Sequence, residues 1–211
     1  MNQEHQDFME TYQVPCETIH RLTIYQNMLI SWNERFNLVA ASTLPHIWTR
    51  HIADSAQLMP FIHEDAETLA DMGAGAGFPG LVLAIMAQDM KRSLRVISIE
   101  STGKKADFLQ AVVDELKLNV EVRRERVEAI RDLKADIVTA RALKALPELL
   151  QYANYLIHKD TTCLFLKGKN LAEELTEARK CWTFAAETHP SRSDDSGSIL
   201  VLKELRYKTR R

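Results

Sequence analysis

Cysteine is scarce in this chain of 211 residues. Cys16, Cys163 and Cys181 are the three present, odd in number, scattered and never in a Cys-x-x-Cys pair. That argues against a disulfide framework or a cysteine zinc site and fits reduced thiols in a cytoplasm. No apolar run approaches membrane-spanning length, and the first residues (MNQEHQDFMETYQ) lack the basic-then-apolar pattern of a secretory signal. Charge of one sign is lacking too. Lys and Arg number 27 against 29 Asp and Glu, for a net charge of −2, so a nucleic-acid surface has to be a local patch. The hydrophobic fraction of 45% is ordinary for a globular protein and leaves room for one good-sized domain with an appended helical segment.

Glycine is also rare, which makes its placement informative. Four of the seven glycines, Gly73, Gly75, Gly77 and Gly80, fall inside the stretch LADMGAGAGFPGLVLAI from Leu69 to Ile85. A short apolar run ending in Asp71 meets a glycine-rich turn, and a second apolar run follows Pro79 directly. Glycine accepts positive φ and lets a ligand approach bare backbone, while proline suits a first helical turn. The pattern predicts a strand, a cradle and a helix N-terminus arranged to hold a ligand. Residues 75–80 also match Gly-x-Gly-x-x-Gly, which alone is a weak signal and suits a dinucleotide.

Upstream, Leu22, Tyr25, Leu29 and Trp32 predict an amphipathic helix from about residue 16 to 32, broken by Asn33 to Leu38. A second helix is expected over 45–62, with Trp48, Ile52 and Met59 on one stripe. Residues 1–64 thus read as an N-terminal helical extension, and 65–211 as one compact domain. In that domain strands are expected near 68–72, 94–100, 119–124, 135–140 and 161–167. Helices are expected near 79–90, 102–117, 126–132, 144–158 and 170–180. Such alternation means a parallel sheet covered on both faces. Residues 182–188 and 199–207 alternate like strands across about eight turn-forming residues, too few for a parallel crossover. Seven strands with one reversed is the sheet of class I methyltransferases, distinct from the all-parallel dinucleotide sheet.

The chemistry follows from the strand ends. Asp71 is expected to point its carboxylate into the cradle, which attracts a cationic sulfonium and repels a pyrophosphate, favouring S-adenosylmethionine over NAD; it also reads as a cap on the amides of the glycine turn. Glu100 ends the second strand, where an acid takes ribose hydroxyls of either cofactor. Arg124-Glu125-Arg126-Val127-Glu128 follows the third strand, beside the place for an adenine, and by chemistry alone reads equally as a solvated charged face. The fourth ends in Thr139-Ala140-Arg141-Ala142-Leu143, the rim over which a methyl acceptor sits. That rim has neither an Asp/Asn-Pro-Pro-aromatic run nor a Pro-Cys nucleophile. It offers Arg141, Lys167 and Lys169, cations suited to phosphate or carboxylate rather than to proton removal. Guanine N7 fits, because its lone pair is free and no general base is needed. His51, with Asp54 and Ser55 nearby, reads as structural or substrate-positioning. Lys104, Lys105, Arg123, Arg124, Arg126 and the tail Arg206, Lys208, Arg210 and Arg211 form a candidate RNA-backbone patch.

Asp71-Met-Gly-Ala-Gly-Ala-Gly-Phe-Pro-Gly80, Arg50-His-Ile-Ala-Asp-Ser55, Asn37-Leu38, Arg126-Val-Glu128, Thr139-Ala-Arg-Ala142 and Leu166-Lys-Gly168 resemble, in order, the motifs of the RsmG family. These are bacterial 16S rRNA guanine-N7 methyltransferases, also called glucose-inhibited division protein B. The resemblance implies S-adenosylmethionine as donor, S-adenosylhomocysteine as product, and a guanine N7 in the decoding-region loop of the small ribosomal subunit as acceptor. It places Gly73, Gly75 and Phe78 around the methionine part, with Asp71, Ala74 and Gly77 completing the loop. It places Glu100 at the ribose, Val127 and Glu128 at the adenine, and Arg141 between cofactor and acceptor. Lys167 and His51 stand at motif positions and are expected to position substrate; no residue is expected to act as a general base. Ala74 replaces a usual Ser or Thr, and Val127 a usual Ala, so there only main-chain contacts carry over. A cytoplasmic monomer is expected. The competing expectations are a methyltransferase for another RNA or a small molecule, a nicotinamide oxidoreductase, and a ribosome-assembly factor without turnover.

Overall fold

The computed structural model describes residues 3–208. Helices α1 (Gln3–Tyr12), α2 (Cys16–Phe36) and the short α3 (Asp54–Ala56) precede the sheet. Strands and helices then alternate as β1 (Thr68–Met72), α4 (Gly80–Asp89), β2 (Arg95–Ile99), α5 (Gly103–Leu116), β3 (Val120–Arg123), β4 (Ala135–Arg141), α6 (Leu146–Ala153), β5 (Ile157–Lys167) and α7 (Leu171–Cys181). The hairpin β6 (Trp182–Pro190) and β7 (Ser198–Tyr207) closes the chain. The seven strands lie in the order β3-β2-β1-β4-β5-β7-β6, with β7 antiparallel to both neighbours.

Strand residues alternate between two cores, as the two-residue period of a strand requires. Leu69, Val96, Ile137, Leu164 and Val201 join the face covered by α2, α4 and α5. Ala70, Ile97, Val138, Phe165 and Leu202 join the face covered by α6 and α7. Helix α4 is buried from Gly80 to Ala87, because α2 and α3 pack over its outer side. That explains why its sequence is apolar all round rather than striped. The N-terminal helices therefore share one core with the sheet. Ile19, Leu22, Tyr25 and Leu29 of α2 are all buried in it.

Several expected boundaries move, each for a physical reason. Helix α2 continues through Asn33 to Phe36 and ends at Asn37, which takes a left-handed conformation (φ 47°). Asn33 does not break the helix. Its buried side-chain oxygen instead accepts the Val39 N–H (2.8 Å) just past the helix end. The expected helix over 45–62 is a series of short pieces. A 3₁₀ turn (Ala41–His46) leads into a π-helical turn (Trp48–Ala53), then α3, then a second 3₁₀ turn (Met59–Phe61). Pro45 and Pro60 each withdraw a donor there. The wide turn keeps Trp48 and Ile52 in the core while Arg50 and His51 reach the rim. Over 126–132 only one 3₁₀ turn forms (Val127–Ala129), and the Arg131 guanidinium donates to the carbonyls of Glu128 and Ile130. Helix α6 stops at Ala153. Leu156 and Ile157 kept the apolar rhythm going because the chain enters β5 there. Helix α1, almost wholly polar with only Phe8 buried, carries too faint a stripe to be anticipated.

Helix α2 is also pinned to the glycine loop. The Tyr25 ring is fully buried and its hydroxyl donates to the Ala76 carbonyl. Burial holds that phenol well above its usual pKa, so it stays a donor. Tyr25→Phe is expected to lower unfolding free energy by about 1–3 kcal/mol, read from urea titration, because it strips a buried carbonyl of its donor.

Candidate active site

The ends of β1, β2, β4 and β5 lie on one rim of the sheet, and the strand order reverses between β2-β1 and β4-β5. Crevices at such a reversal are where open α/β sheets bind ligands. Clefts open on this rim on either side of Arg141 and Ala142. One, of about 400 Å³, is lined by Gly73, Glu100, Val127, Glu128, Leu143 and Tyr152 among others. The other, of about 320 Å³, is lined by His51, Asp54, Lys167 and residues 191–198 of the hairpin turn.

Asp71 sits beneath the first cleft and does not point into it. It is fully buried. Its Oδ2 accepts the Gly80 N–H (3.0 Å) at the start of α4, and its Oδ1 accepts the Thr139 hydroxyl (3.0 Å) on β4. The expectation of a carboxylate aimed at the cradle is corrected here. Asp71 shares strand parity with Leu69, which faces α4, and the helix N-terminus claims the charge. Burial outweighs those hydrogen bonds and pushes its pKa up to about 7.

Glu100, in contrast, lines the cleft. Its two oxygens accept the N–H groups of Gly75 (2.9 Å) and Thr102 (2.7 Å). A carboxylate has about four acceptor sites, so two remain for ligand hydroxyls on an already fixed group. Gly73 opens on the same cleft at φ 64°, and a Cβ there would come within 2.6 Å of Leu143. Val127 and Glu128 stand on the opposite wall. Ala74, Gly77 and Phe78 are buried and face inward, so the loop presents backbone rather than these side chains. These residues fit a nucleoside with an amino-acid tail: an acid for two hydroxyls, a bare cradle, and a wall for a flat ring.

Arg141 is the partition between the clefts. Its Nη1 donates to the Arg50 carbonyl (3.1 Å) and to Asp54 (3.3 Å), its Nη2 donates to His51 Nδ1 (2.7 Å), and its guanidinium lies 5.0 Å from the Phe78 ring centre. Arginine only donates, so Nδ1 of His51 is an acceptor. Nε2 then carries the proton and donates to Thr43 Oγ1 (2.9 Å). Burial, then the charges of Arg141 and Arg50, lower the His51 pKa to about 4. The imidazole is neutral near pH 7, and its one lone pair is spent on Arg141. Asp54 also accepts from Gln57 (2.8 Å) and from Ser193 of the hairpin turn. Asp54 therefore acts on Arg141 rather than directly on His51, and Ser55 donates to the His51 carbonyl (2.7 Å).

Lys167 borders the second cleft but is committed elsewhere. Its ammonium pairs with Glu174 (2.6 Å) and donates to the Lys144 carbonyl (3.0 Å). Glu174 also accepts the Leu146 N–H (2.7 Å), so the lysine braces the turn after β4. The expected basic patch does not hold together as one surface. Arg123 is paired with Glu121 and Asp132. Arg206 and Lys208 lie at the far end of β7, on the opposite rim, because that strand starts at the site and runs away from it. Arg210 and Arg211 lie outside the described residues. Leu143, read as part of the rim, does line the first cleft, whereas sequence reasoning missed Tyr152 and the hairpin turn as parts of the site. The only signal for the turn was its run of small hydroxyl and acidic residues.

The sheet order, the glycine loop and the acid ending β2 define the fold of class I S-adenosylmethionine-dependent methyltransferases. Solved structures with this fold include a ribosomal protein L11 methylase from Lactobacillus delbrueckii subsp. bulgaricus, with a TM-score of 0.57 at 13% identity over 72% of this chain and 76% of that one. A TehB-like SAM-dependent methyltransferase from Corynebacterium glutamicum gives 0.54 at 11% identity, covering 72% and 87%. The profile of the family described as rRNA small subunit methyltransferase G (GidB) matches residues 18–195. The ribosomal RNA small subunit methyltransferases G of Rhodospirillum centenum and Hyphomonas neptunium are 45% and 46% identical. Each alignment spans 94% of this chain, and 90% and 93% of those proteins. The chain belongs to this family.

The two perturbed groups predict opposite pH trends. His51 titrates lower in the folded state than its ordinary 6.5, so its contribution to stability is complete above that pH and is lost as pH falls toward 4. Asp71 titrates higher than its ordinary 3.8, so its contribution is complete below that pH and is lost as pH rises through 7. Urea midpoints across this range are expected to lose the acid-side fall in His51→Gln and the rise-with-acid between these limits in Asp71→Asn.

Proposed function

We propose that the protein transfers a methyl group from S-adenosylmethionine to N7 of a guanine in the decoding-region loop of 16S rRNA, acting as a cytoplasmic monomer on the small ribosomal subunit. Family membership supports the coarser reading of a methyltransferase for small-subunit rRNA. The observation that carries the finer one is the state of the side chains around Arg141. His51 has no lone pair to offer, Asp54 already accepts from Arg141, Gln57 and Ser193, and Lys167 is paired. Such a rim suits an acceptor atom with no proton to remove, and guanine N7 is one.

Glu100 would hold the ribose hydroxyls, Val127 and Glu128 would flank the adenine, and Gly73 and Gly75 would pass the methionine part. The cofactor, when bound, supplies a methyl group on a cationic sulfur. The chain's own contribution is placement. Arg141 keeps donors beyond those it spends on Arg50, Asp54 and His51, and these can take a guanine carbonyl or a phosphate. Held there, N7 needs no activation, only alignment, which is where the rate gain arises. Phe78 and His51 stack at 4.9 Å under Arg141 and stop its guanidinium from swinging away.

The test is transfer of tritiated methyl from S-adenosylmethionine to small subunits lacking the modification, with the product mapped as N7-methylguanosine. Label appearing only on free nucleosides or on other RNAs would overturn the assignment. Arg141→Ala is expected to lower kcat/KM by about 100-fold. Glu100→Ala is expected to weaken S-adenosylmethionine binding roughly tenfold or more by calorimetry, through loss of charge-assisted hydrogen bonds.

A further inference from the structure

The turn of the C-terminal hairpin has two sides. Ser191 and Ser193 face the cleft beside Arg141, whereas Pro190 and Arg192 face a separate cavity of about 320 Å³. This second cavity lies on the same rim and shares no residue with the Glu100 cleft. Its walls carry three rings, those of Tyr12, Phe61 and His189. The Phe61 and His189 rings are 4.7 Å apart and tilted by 48°. His189 Nε2 is buried and makes no hydrogen bond; the Glu187 carboxylate is 3.8 Å away. The Arg192 guanidinium makes no ion pair or hydrogen bond among the described residues. Its backbone is nonetheless fixed, since the Arg192 N–H donates to Gln57 Oε1 (2.9 Å).

Ring faces and a free guanidinium belong together in one kind of ligand. An apolar guest has no use for the arginine, and a bare phosphate has no use for the rings. A flat heterocycle with polar edges and an attached phosphate uses all of them. We propose that this cavity binds an unpaired nucleobase of the RNA substrate, next along the strand from the base held beside Arg141, with its phosphate on Arg192. The inference rests on the RNA reading of the acceptor given above. Successive nucleotides then straddle the hairpin turn, and Gln57, buried and bonded to Arg192, Ser191 (3.1 Å) and Asp54 (2.8 Å), holds that turn against the helical segment before β1.

The experiment compares wild type with Phe61→Leu, Phe61→Tyr and the exposed, fold-neutral Arg192→Gln. Fluorescence anisotropy with an end-labelled single-stranded oligoribonucleotide of about ten residues is the first readout. Phe61→Leu is expected to bind roughly tenfold more weakly, Phe61→Tyr to restore binding, and Arg192→Gln to shallow the salt dependence by about one unit of slope. In methyl transfer, KM for small subunits rises in Phe61→Leu and Arg192→Gln while kcat stays within about twofold. S-adenosylmethionine affinity is unchanged in both. Wild-type oligoribonucleotide affinity and KM in both variants overturn the subsite. Failure of the wild-type protein to methylate small subunits overturns the acceptor reading instead, and the binding assay reports on the subsite independently of that.

Discussion

One buried carboxylate sets the geometry of the rim. Asp71 receives a backbone N–H from the start of α4 and a hydroxyl from β4, so a single side chain ties the first strand to its neighbour and to the helix that follows the glycine loop. The loop has to close between these two fixed ends. Gly80 shows how tight that closure is, because a Cβ there would stand 2.7 Å from Oδ2 of Asp71. A Gly80 N–H left without an acceptor in this dry interior would cost about 1–3 kcal/mol. The glycine loop therefore has its shape before any ligand arrives. Glu100 completes it from β2 by receiving the Gly75 N–H.

The two ends of the chain then supply the outer walls. Helix α2 holds the loop from behind through Tyr25, and the wide turn at 48–53 carries Arg50 and His51 to the rim. From the other end, the hairpin turn reaches Asp54 and Gln57 through Ser193 and Arg192. Segments more than 130 residues apart in sequence meet there. The first four strands and the glycine loop make the Glu100 cleft. In the second cleft the ends of β4 and β5 meet the segment before β1 and the hairpin turn.

Much of this was legible in the sequence because it is local. Strand alternation, the glycine loop, the acid at Glu100 and the reversed hairpin follow from periodicities and spacings of a few residues. The places where reading failed are those governed by partners distant in sequence. The parity of Asp71 on its strand sends it to α4, yet an isolated strand end does not reveal which face the helix covers. Lys167 looks like a free cation until Glu174, on the next helix, is placed beside it. The apolar rhythm at Leu156 and Ile157 records burial and does not distinguish a helix from a strand entry. Pro45 suits a first helical turn as well as a break, and the stripe of Trp48, Ile52 and Met59 is as compatible with short turns as with one helix.

Arg141 and Ala142 belong to both cavities, and Ala142 holds a left-handed backbone (φ 51°) at that boundary. An alanine in that conformation is under roughly 1–2 kcal/mol of strain. The dividing wall is thus both shared and slightly tensioned, so an occupant that shifted it on one side would be felt on the other. Thermodynamics then makes the influence mutual: by whatever factor the first guest alters the grip on the second, the second alters the grip on the first. Any such coupling would be a property of that thin wall, rather than of either chamber alone.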